Sequence, residues 1–279
     1  MKKLLLTMTV AAVLVACGKK EEPVPAAVVA PAAAPAPVAP APAALPELKV
    51  AIDPTYEPFT FKTADGKPTG FDVDIATALC EQVKRNCVFV EQVWDSMIPG
   101  LQAKKYDVII SSMSITEDRL KAIDFTDKYY NTPSRVVVKS DVKFSGPASI
   151  KGKKIGVLKG STQEKYAMGE LKTVGVKVVP YEAQDQVYLD IKAGRLDGTV
   201  ADAVEVTGGF LSKPEGKDYA LVGPELYIEK YFGIGAGIGL RKGEDALKGE
   251  LNAAIKAIRG DGTYKKINDK YFPFDVYGN

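Results

Sequence analysis

One helix–turn–strand unit occurs twice in this chain, and this repeat constrains the fold more than any other feature. Residues 101–112, LQAKKYDVIISS, align without gaps on residues 191–202, IKAGRLDGTVAD. Each copy has an apolar helix end, a short turn and a strand, which predicts two lobes of similar build. The alignment places Ser112 and Asp202 at equivalent strand ends, so we expect them on opposite walls of a cleft. Chance similarity between two such units is the alternative.

Short apolar strands alternate with segments of helical spacing in both halves. Strands are predicted at 49–53, 88–93, 107–110 and 154–158, and helices at 71–84 and 94–105. This alternation predicts an α/β fold with mostly parallel sheets flanked by helices. Ligands bind at the carboxyl ends of the strands in such sheets. Asp53, Ser111 and Ser112 stand at those ends.

A run of hydroxyl side chains and one arginine follows the strand at 107–110. Ser111, Ser112 and Ser114 can donate hydrogen bonds, and Arg119 can bind a carboxylate through two parallel N–H bonds. The start of the next helix adds free backbone N–H groups and a positive dipole end. No nucleophile–base pair stands beside them, so the segment predicts capture of a small anion, most simply an α-carboxylate.

Two Ser-x-x-Glu patterns predict capping boxes at helix starts. The first pairs Ser114 with Glu117, and the second pairs Ser161 with Glu164. Both follow predicted strands and contain extra hydroxyls, which favours anion-binding turns over simple caps. In the second pattern this leaves Thr162 free to donate to a ligand.

The glycine-rich segment 233–239, GIGAGIG, is not a nucleotide-binding loop. Its glycines recur with a period of two, whereas a dinucleotide fingerprint has the spacing G-x-G-x-x-G. We predict a strand with one glycine face that another backbone approaches closely.

Composition excludes several classes of function. The 279 residues contain no histidine, which removes Ser-His-Asp and Cys-His mechanisms and the usual zinc ligand sets. The 37 basic and 35 acidic residues are nearly balanced, so nucleic acid is not an expected partner. We expect a protein that is not an enzyme and that holds neither a metal nor a cofactor.

The first 46 residues predict export and tethering. Residues 1–17 have a basic start, a short apolar stretch and the ending LVAC, which resembles the lipobox of bacterial lipoproteins. Cleavage there would leave Cys17 as a lipidated first residue that anchors the protein to a membrane. Residues 18–46 form a Pro/Ala-rich tether. A plain secretory signal and a Pro-rich docking motif are the respective alternatives.

Cys80 and Cys87 remain once Cys17 is lipidated. An exported protein meets an oxidising compartment, where a disulfide is the default. The loop is short, so we expect a stabilisation of about 2–3 kcal/mol at best. A redox site is not expected, because the spacing is not C-x-x-C.

From about Glu47 to the C-terminus, the chain resembles the periplasmic solute-binding proteins of polar amino-acid ABC importers, bacterial extracellular solute-binding protein family 3. Within that family it most resembles the lysine/arginine/ornithine-binding and histidine-binding proteins. The motifs that carry the resemblance are DPTYEPF at 53–59, GFDVD at 70–74, SSMSITEDR at 111–119, GVLKGSTQE at 156–164, AGRLD at 193–197 and DGTY at 261–264.

The resemblance implies a two-lobed periplasmic binding protein fold of type II with two hinge crossings. The implied first lobe comprises 47–130 plus 236–279, the second comprises 135–226, and the hinges lie near 131–134 and 227–235. The implied partners are a small amino-acid ligand and the membrane subunits of an ABC permease. We expect a monomer in the periplasm or at the cell surface.

The resemblance also implies how the head group of an amino acid is bound. Arg119, with Ser112, Ser114 and Thr162, is implied to bind the α-carboxylate. Asp202 is implied to pair with the α-ammonium. These implied roles agree with the opposing walls predicted from the repeat.

The remaining implied site residues surround the ligand side chain. Asp53 is implied to accept from a distal cation, with Ser111 and Gln163 nearby. Tyr56 and Trp94 are implied to be aromatic walls, although Trp94 has the alternative of a core aromatic.

An acidic acceptor and an aromatic face predict a cationic ligand. We expect arginine or lysine, then ornithine, with histidine or another polar amino acid as the alternative. Glu57 departs from the family pattern and either faces solvent or adds negative charge at the pocket mouth. A cyclohexadienyl dehydratase-like enzyme and a sensory or adhesin role are the alternatives of other classes.

Overall fold

The computed structural model describes residues 44–278 of the chain. The predicted signal segment, the lipidation site Cys17 and the tether up to residue 43 lie outside the described residues. Within 44–278, every helix is too short or too polar to cross a membrane.

Strands and helices alternate along the described chain, as the sequence predicts. The strands are β1 (Glu47–Ile52), β2 (Phe61–Lys62), β3 (Pro68–Thr69), β4 (Asn86–Glu91), β5 (Val108–Ile109), β6 (Asp124–Tyr130), β7 (Ser134–Lys139), β8 (Lys154–Leu158), β9 (Lys177–Tyr181), β10 (Gly198–Asp202), β11 (Tyr219–Leu226) and β12 (Ala236–Leu240). The α-helices are α1 (Phe71–Gln82), α2 (Met97–Gln102), α3 (Glu117–Ala122), α4 (Thr162–Tyr166), α5 (Gln184–Lys192), α6 (Ala203–Val206), α7 (Glu229–Phe232), α8 (Asp245–Gly260) and α9 (Thr263–Tyr271).

Two five-stranded sheets organise the molecule and confirm the two-lobed α/β fold. Their strand orders are β4-β1-β5-β12-β6 and β11-β7-β10-β8-β9. Each sheet is mixed rather than mostly parallel. The pairings β1–β4, β1–β5, β8–β9 and β8–β10 are parallel, and the pairings of β6, β7, β11 and β12 within each sheet are antiparallel. The antiparallel strands are those next to the two points where the chain passes from one sheet to the other.

The internal repeat has a shared hydrogen-bond pattern in the structure. Asp107 accepts from the backbone N–H of Lys49 at 2.9 Å, and its equivalent Asp197 accepts from the backbone N–H of Lys154 at 2.7 Å. Each aspartate thereby joins the strand that it precedes to a parallel neighbour in the same sheet, β5 to β1 and β10 to β8. The two copies therefore share this hydrogen bond as well as their order of helix, turn and strand.

The glycine-rich segment forms a turn followed by β12. Gly233 and Gly235 have φ angles of 70° and 120°, and a Cβ on Gly233 would lie 1.9 Å from the carbonyl oxygen of Ile115. A side chain is excluded there by the close backbone, as the sequence predicts. The strand itself begins only at Ala236.

Apolar side chains cover both faces of the first sheet. Leu48, Val50 and Ile52 pack with α1, α8 and α9 on one face, whereas Ala51 and Ile109 pack with α2 on the other. The second sheet is likewise covered on two sides by separate apolar clusters. Burial on both faces explains why these strands are almost continuously apolar in sequence.

Cys80 near the end of α1 is bonded to Cys87 in β4, with their Cα atoms 5.8 Å apart. The predicted disulfide is thus confirmed, and it joins a helix to the strand that follows it.

Only one of the two predicted caps forms, and its glutamate accepts from the residue before the N-cap rather than from the N-cap itself. Ser161 accepts from the backbone N–H of Glu164 at 3.0 Å, and the Glu164 carboxylate accepts from the backbone N–H of Gly160 at 2.7 Å. The prediction for Ser114 was wrong, because α3 begins later and Thr116 is its N-cap. Ser114 instead makes an isolated β-bridge with Ala236, which keeps it extended.

Candidate functional site

The ends of strands from both sheets open on one cavity between the lobes. The cavity has a volume of about 50 Å³, which is room for several waters. All of the predicted ligand-binding side chains line it: Asp53, Tyr56, Trp94, Ser111, Ser112, Ser114, Arg119, Thr162, Gln163 and Asp202. The structure therefore brings together residues separated by as much as half of the chain.

Sequence reasoning did not assign a second group of lining residues. They come from the two chain crossings and from neighbouring strand ends: Tyr130, Asn131, Thr132, Ser134, Leu158, Ser161, Leu226, Tyr227, Phe232, Gly233, Gly235 and Ala236. The resemblance placed hinges at 131–134 and 227–235, and a hinge beside a cleft necessarily lines it. That signal could have identified most of these residues.

Arg119 reaches across the cleft from the helix α3. Its Nη1 donates to the Ser114 carbonyl at 3.0 Å, and its Nη2 donates to the Gly160 carbonyl of the other lobe at 3.4 Å. Its guanidinium carbon lies 5.2 Å from the centre of the Trp94 ring. Burial lowers the pKa of Arg119 to about 10, so it remains charged at neutral pH. Within residues 44–278 it forms no ion pair, which leaves donors of its planar fork for an anion.

Asp202 ends β10 on the opposite wall and is 7% exposed. Its Oδ1 accepts from the backbone N–H groups of Val204 and Glu205 at 2.8 and 3.1 Å, which caps α6. Its Oδ2 accepts from the Thr132 hydroxyl in the first chain crossing. Burial raises the pKa of Asp202 to about 6, which is the expected result for a buried carboxyl without a cation.

Asp53 follows β1 and is 5% exposed. Its carboxylate accepts from the hydroxyl and the backbone N–H of Thr55 at 2.8 and 3.1 Å. Its own backbone N–H donates to Ser111 Oγ at 3.0 Å, so Ser111 supports the backbone beside the carboxyl. Burial raises the pKa of Asp53 to about 6, again without a cationic partner among residues 44–278.

Two polar side chains of the second lobe are linked to the first chain crossing. Gln163 Nε2 donates to Ser134 Oγ at 2.9 Å, and the Thr162 hydroxyl donates to Gln163 Oε1 at 3.1 Å. Both residues lie in the first turn of α4, whose start Ser161 caps. Thr162 and Gln163 line the cavity at this helix start, and the positive end of a helix dipole suits an anion.

Trp94 and Tyr56 bring to the cavity the two aromatic rings that the resemblance implies. Trp94 is partly buried, packs on the apolar cluster beneath α2 and also faces Arg119, so it is both a core aromatic and a cavity wall. Tyr56 packs against the apolar cluster of the first lobe. Burial and the nearby Asp202 raise the pKa of Tyr56 well above its usual value, so its hydroxyl stays neutral.

The charges around the cavity do not cancel one another. Arg119, Asp53 and Asp202 are the charged side chains that line it, and none of them forms an ion pair within residues 44–278. Buried charges without partners are costly. These three charged side chains are thus one cation and two acids, a set that is not balanced within the cavity lining.

In the described part of the chain, three ion pairs join the lobes outside the cavity. Lys213 lies 2.6 Å from the carboxylate of Glu57, and Lys159 lies 2.9 Å from that of Asp95. Lys165 of the second lobe pairs with Asp118 of the first. Glu57 thus remains partly exposed to solvent, does not line the cavity and contacts the opposite lobe.

Comparison with known proteins places this geometry in a family. The family described as bacterial extracellular solute-binding proteins, family 3, matches residues 48–274. The L-arginine-binding protein of Pseudomonas aeruginosa is 52% identical over 233 residues, which cover 83% of this chain and 90% of that protein. The histidine-binding periplasmic protein of Salmonella typhimurium is 48% identical, covering 85% and 92%. The lysine/arginine/ornithine-binding periplasmic protein of Escherichia coli K12 is 46% identical, and the match covers 85% of this chain and 92% of that protein.

Solved structures show the same architecture. A Salmonella typhimurium periplasmic binding protein described as having high arginine specificity superposes with a TM-score of 0.76 at 33% identity, covering 81% of this chain and 99% of that one. An ancestral amino-acid-binding protein described as a precursor of cyclohexadienyl dehydratase gives 0.72 at 31% identity, covering 81% and 95%.

Proposed function

Because this chain belongs to the bacterial extracellular solute-binding proteins, family 3, we propose that it captures a cationic L-amino acid between two closing lobes. Arginine or lysine is the preferred ligand, followed by ornithine. The observation that carries this proposal is the unpaired charge of the cavity, one guanidinium against two carboxylates. A cationic amino acid has the opposite set, one carboxylate and two cations.

The ligand lies with its head group between Arg119 and Asp202. The α-carboxylate binds the Arg119 fork and the start of α4 at Thr162, supported by the hydroxyls of Ser112 and Ser114. The α-ammonium pairs with Asp202, whose carboxylate already accepts from two backbone N–H groups and a hydroxyl.

The side chain of the ligand extends toward Asp53. Its distal cation pairs with that carboxylate near Ser111 and Gln163, and its aliphatic stem lies between Tyr56 and Trp94. The raised pKa of Asp53 supports this assignment, since a buried carboxyl that awaits a cation is expected to be hard to ionise.

Histidine is the alternative ligand of the same class. Its ring supplies the second cation only when protonated, with an ordinary pKa of about 6.5. Its affinity should therefore peak in mildly acidic solution, whereas that of arginine should not. This difference separates the two ligands experimentally.

An enzyme of the cyclohexadienyl dehydratase type is the alternative of another class. Such an enzyme needs a general acid or base in the cleft, and Asp53, with a pKa raised to about 6, is the residue that favours it. A ligand cation on Asp53 would keep that carboxyl ionised and a poor acid. Loss of the ring substrate, followed by ultraviolet absorbance, would identify this activity.

We also propose where the protein acts in the cell. Lipid on Cys17 anchors the chain to a membrane, in the periplasm or at the cell surface, and residues 18–46 hold the folded part away from that membrane. As a monomer it delivers its ligand to an ABC permease. Its lobes comprise 47–130 with 236–279 and 135–226, and they move about hinges at 131–134 and 227–235.

A thermal-shift screen across the common amino acids, followed by titration calorimetry, tests the proposed function. Arginine, lysine and ornithine should raise the unfolding midpoint, because a ligand at one hundred times its Kd stabilises by about 2.7 kcal/mol. Neutral and acidic amino acids should shift it much less. An absence of any shift with the three cationic ligands would reject the proposal.

A further inference from the structure

A buried carboxyl lies directly behind the cavity wall and has no part in the site described so far. Asp72, in the first turn of α1, is 0% exposed. Its Oδ2 accepts from Ser112 Oγ at 2.9 Å and from the Thr60 hydroxyl at 3.3 Å, and its Oδ1 accepts from the Tyr129 hydroxyl at 2.8 Å. These hydrogen-bond partners are neutral hydroxyls, so the charge of Asp72 is balanced by no cation among them.

The ionised form of Asp72 fixes the direction of every hydrogen in this network. A carboxylate has no hydrogen to give, so the hydroxyls of Ser112 and Tyr129 must both donate to it. Tyr129 has then used its only hydrogen, and its oxygen accepts from the backbone N–H of Ser112 at 3.1 Å. Ser112 has likewise used its only hydroxyl hydrogen. Toward a group in the cavity, its Oγ can therefore act only as an acceptor.

We propose that Asp72 is a positioning residue for the α-ammonium of the ligand. By accepting the hydroxyl hydrogen of Ser112, it presents Ser112 Oγ to the cavity as an acceptor facing the ligand cation. This inference rests on the proposed amino-acid function. It assigns the Ser112 hydroxyl to the α-ammonium of the ligand instead of the α-carboxylate. Ser112 Oγ and Asp202 then supply two acceptors to a group that has three N–H donors.

Protonation of Asp72 would remove this polarity. A carboxylic acid donates one hydrogen, so Ser112 could turn its own hydrogen toward the cavity and repel an ammonium. The titratable side chains that interact with Asp72 are tyrosines, namely Tyr56, Tyr129, Tyr130 and Tyr264. Burial raises the pKa of Asp72 to about 7, so ammonium binding should drive proton release from it in mildly acidic solution.

The first experiment pairs the substitution Asp72→Asn with a change in the ligand. L-arginine and its des-amino analogue, 5-guanidinopentanoate, differ only in the α-ammonium. At pH 8, Asp72→Asn should weaken arginine binding at least tenfold and analogue binding less than twofold. An equal loss for both ligands would mean that Asp72 only supports the fold, and it would overturn the proposal.

The second experiment asks whether Asp72 acts through Ser112. In a Ser112→Ala background, Asp72→Asn should weaken arginine binding less than twofold further. Calorimetry at pH 6 in two buffers of different ionisation enthalpy should also show that Asp72→Asn releases fewer protons on arginine binding than the wild type. Additive losses, or unchanged proton release, would contradict the assignment.

Asp74→Asn is the matched control, because Asp74 lies two residues after Asp72 in α1. Its carboxylate accepts from Lys270 and Tyr271, outside the cavity. It should leave arginine affinity unchanged. Should Asp72→Asn fail to fold, Ser112→Ala replaces it, since it removes the hydroxyl that donates to Asp72 and should give the same loss for arginine without a loss for the analogue. Failure of the wild type to bind any amino acid would reject the proposed function and this inference together, whereas binding without the ligand-specific loss would reject the inference alone.

Discussion

Arg119 is held in the cleft by carbonyls and an aromatic ring rather than by a carboxylate. Backbone oxygens of Ser114 and Gly160 orient its fork, and Trp94 covers one face of the guanidinium. In the free protein this arrangement retains a desolvated charge that no anion in residues 44–278 neutralises. Such a group costs stability in the free state and gains its partner only on binding.

Replacement of Arg119 by Met should therefore separate stability from binding. Arg119→Met should lower arginine affinity by about 3–5 kcal/mol, the usual result of removing one partner of a buried pair. The free energy of unfolding of the ligand-free protein should stay the same or rise, as denaturant titration can measure.

The control for this substitution is Arg259→Met. Arg259 also lies over an aromatic ring, that of Tyr277, but it is exposed and does not line the cavity. It should leave arginine affinity unchanged. A loss under tenfold for Arg119→Met in calorimetry would contradict the assigned role.

The cavity carboxyls predict a pH dependence of stability with a definite sign. Burial raises the pKa of Asp53 and Asp202 from 3.8 to about 6, and that of Asp72 to about 7. Each carboxyl holds its proton in the folded protein at a pH where the unfolded chain has lost it. The stability of the ligand-free protein should therefore fall as pH rises from about 4 to about 7.

Arginine affinity should change in the opposite direction over this window. Ligand cations favour ionised carboxylates, so the affinity should rise by up to about tenfold per pH unit for each carboxyl and become constant only at about pH 8. Calorimetry from pH 4 to 8 measures this, and Asp53→Asn should make the profile less steep. An affinity that rises toward acid would contradict the charge assignments.

At the scale of elements, single residues serve both the fold and the site. Asp202 caps α6 and also faces the cavity. The turns before β5 and β10 place Lys104 and Gly194 at equivalent positive φ angles of 58° and 69°. The same turn geometry thus positions Ser112 in one lobe and Asp202 in the other.

Two substitutions at Asp202 should separate capping from binding. Asn caps a helix almost as well as Asp, whereas Ala does not, at a difference of about 1 kcal/mol. The free energy of unfolding should therefore be lower for Asp202→Ala than for Asp202→Asn by about that amount. Both variants should lose arginine affinity by about a hundredfold, since both lack the negative charge. Asp202→Asn with an affinity within threefold of the wild type would refute the ammonium role.

For the whole molecule, the structure shows the lobes in contact through polar groups around the cavity. Glu57 and Lys213 join them on one side, and the pairs of Lys159 and Lys165 join them elsewhere. Such contacts form only when the lobes are together, so their free energy adds to that of ligand binding. Their effect should be small, since exposed pairs contribute about 0.2–1 kcal/mol.

The Glu57–Lys213 pair gives a test of closure. Both side chains are 40% exposed. Either Glu57→Gln or Lys213→Met should weaken arginine binding by about two- to fivefold, and the double variant should lose no more. The effect should disappear in 0.5 M salt, where screening removes it.

A similarly exposed pair within the first lobe serves as the control. Lys62 and Glu91 lie 2.7 Å apart and are 44% and 43% exposed. Lys62→Met should leave arginine affinity unchanged at both salt concentrations. Equal effects of Lys62→Met and Lys213→Met would show that closure is not what the Glu57 pair stabilises.

The predictions that succeeded rest on local patterns. The strand at 154–158 has the bounds that the apolar run indicates, and α1 starts at Phe71 as predicted. The failed cap at Ser114 has a tertiary cause, because pairing with Ala236 extends the backbone where the local pattern predicts a helix start. Local periodicity is a property of neighbours in the chain, and a strand pairing with a segment 122 residues away is not.

The sequence by itself determined two lobes, the strand ends that carry polar groups, the disulfide and the set of side chains available to a ligand. Only the tertiary structure decided that Glu57 pairs across the cleft, and that Asp72 controls the hydroxyl of Ser112 from 40 residues away. The physical reason is that apolar spacing and turn chemistry act between near neighbours in the chain. The partner of a buried charge depends on which distant segments folding brings within hydrogen-bond reach.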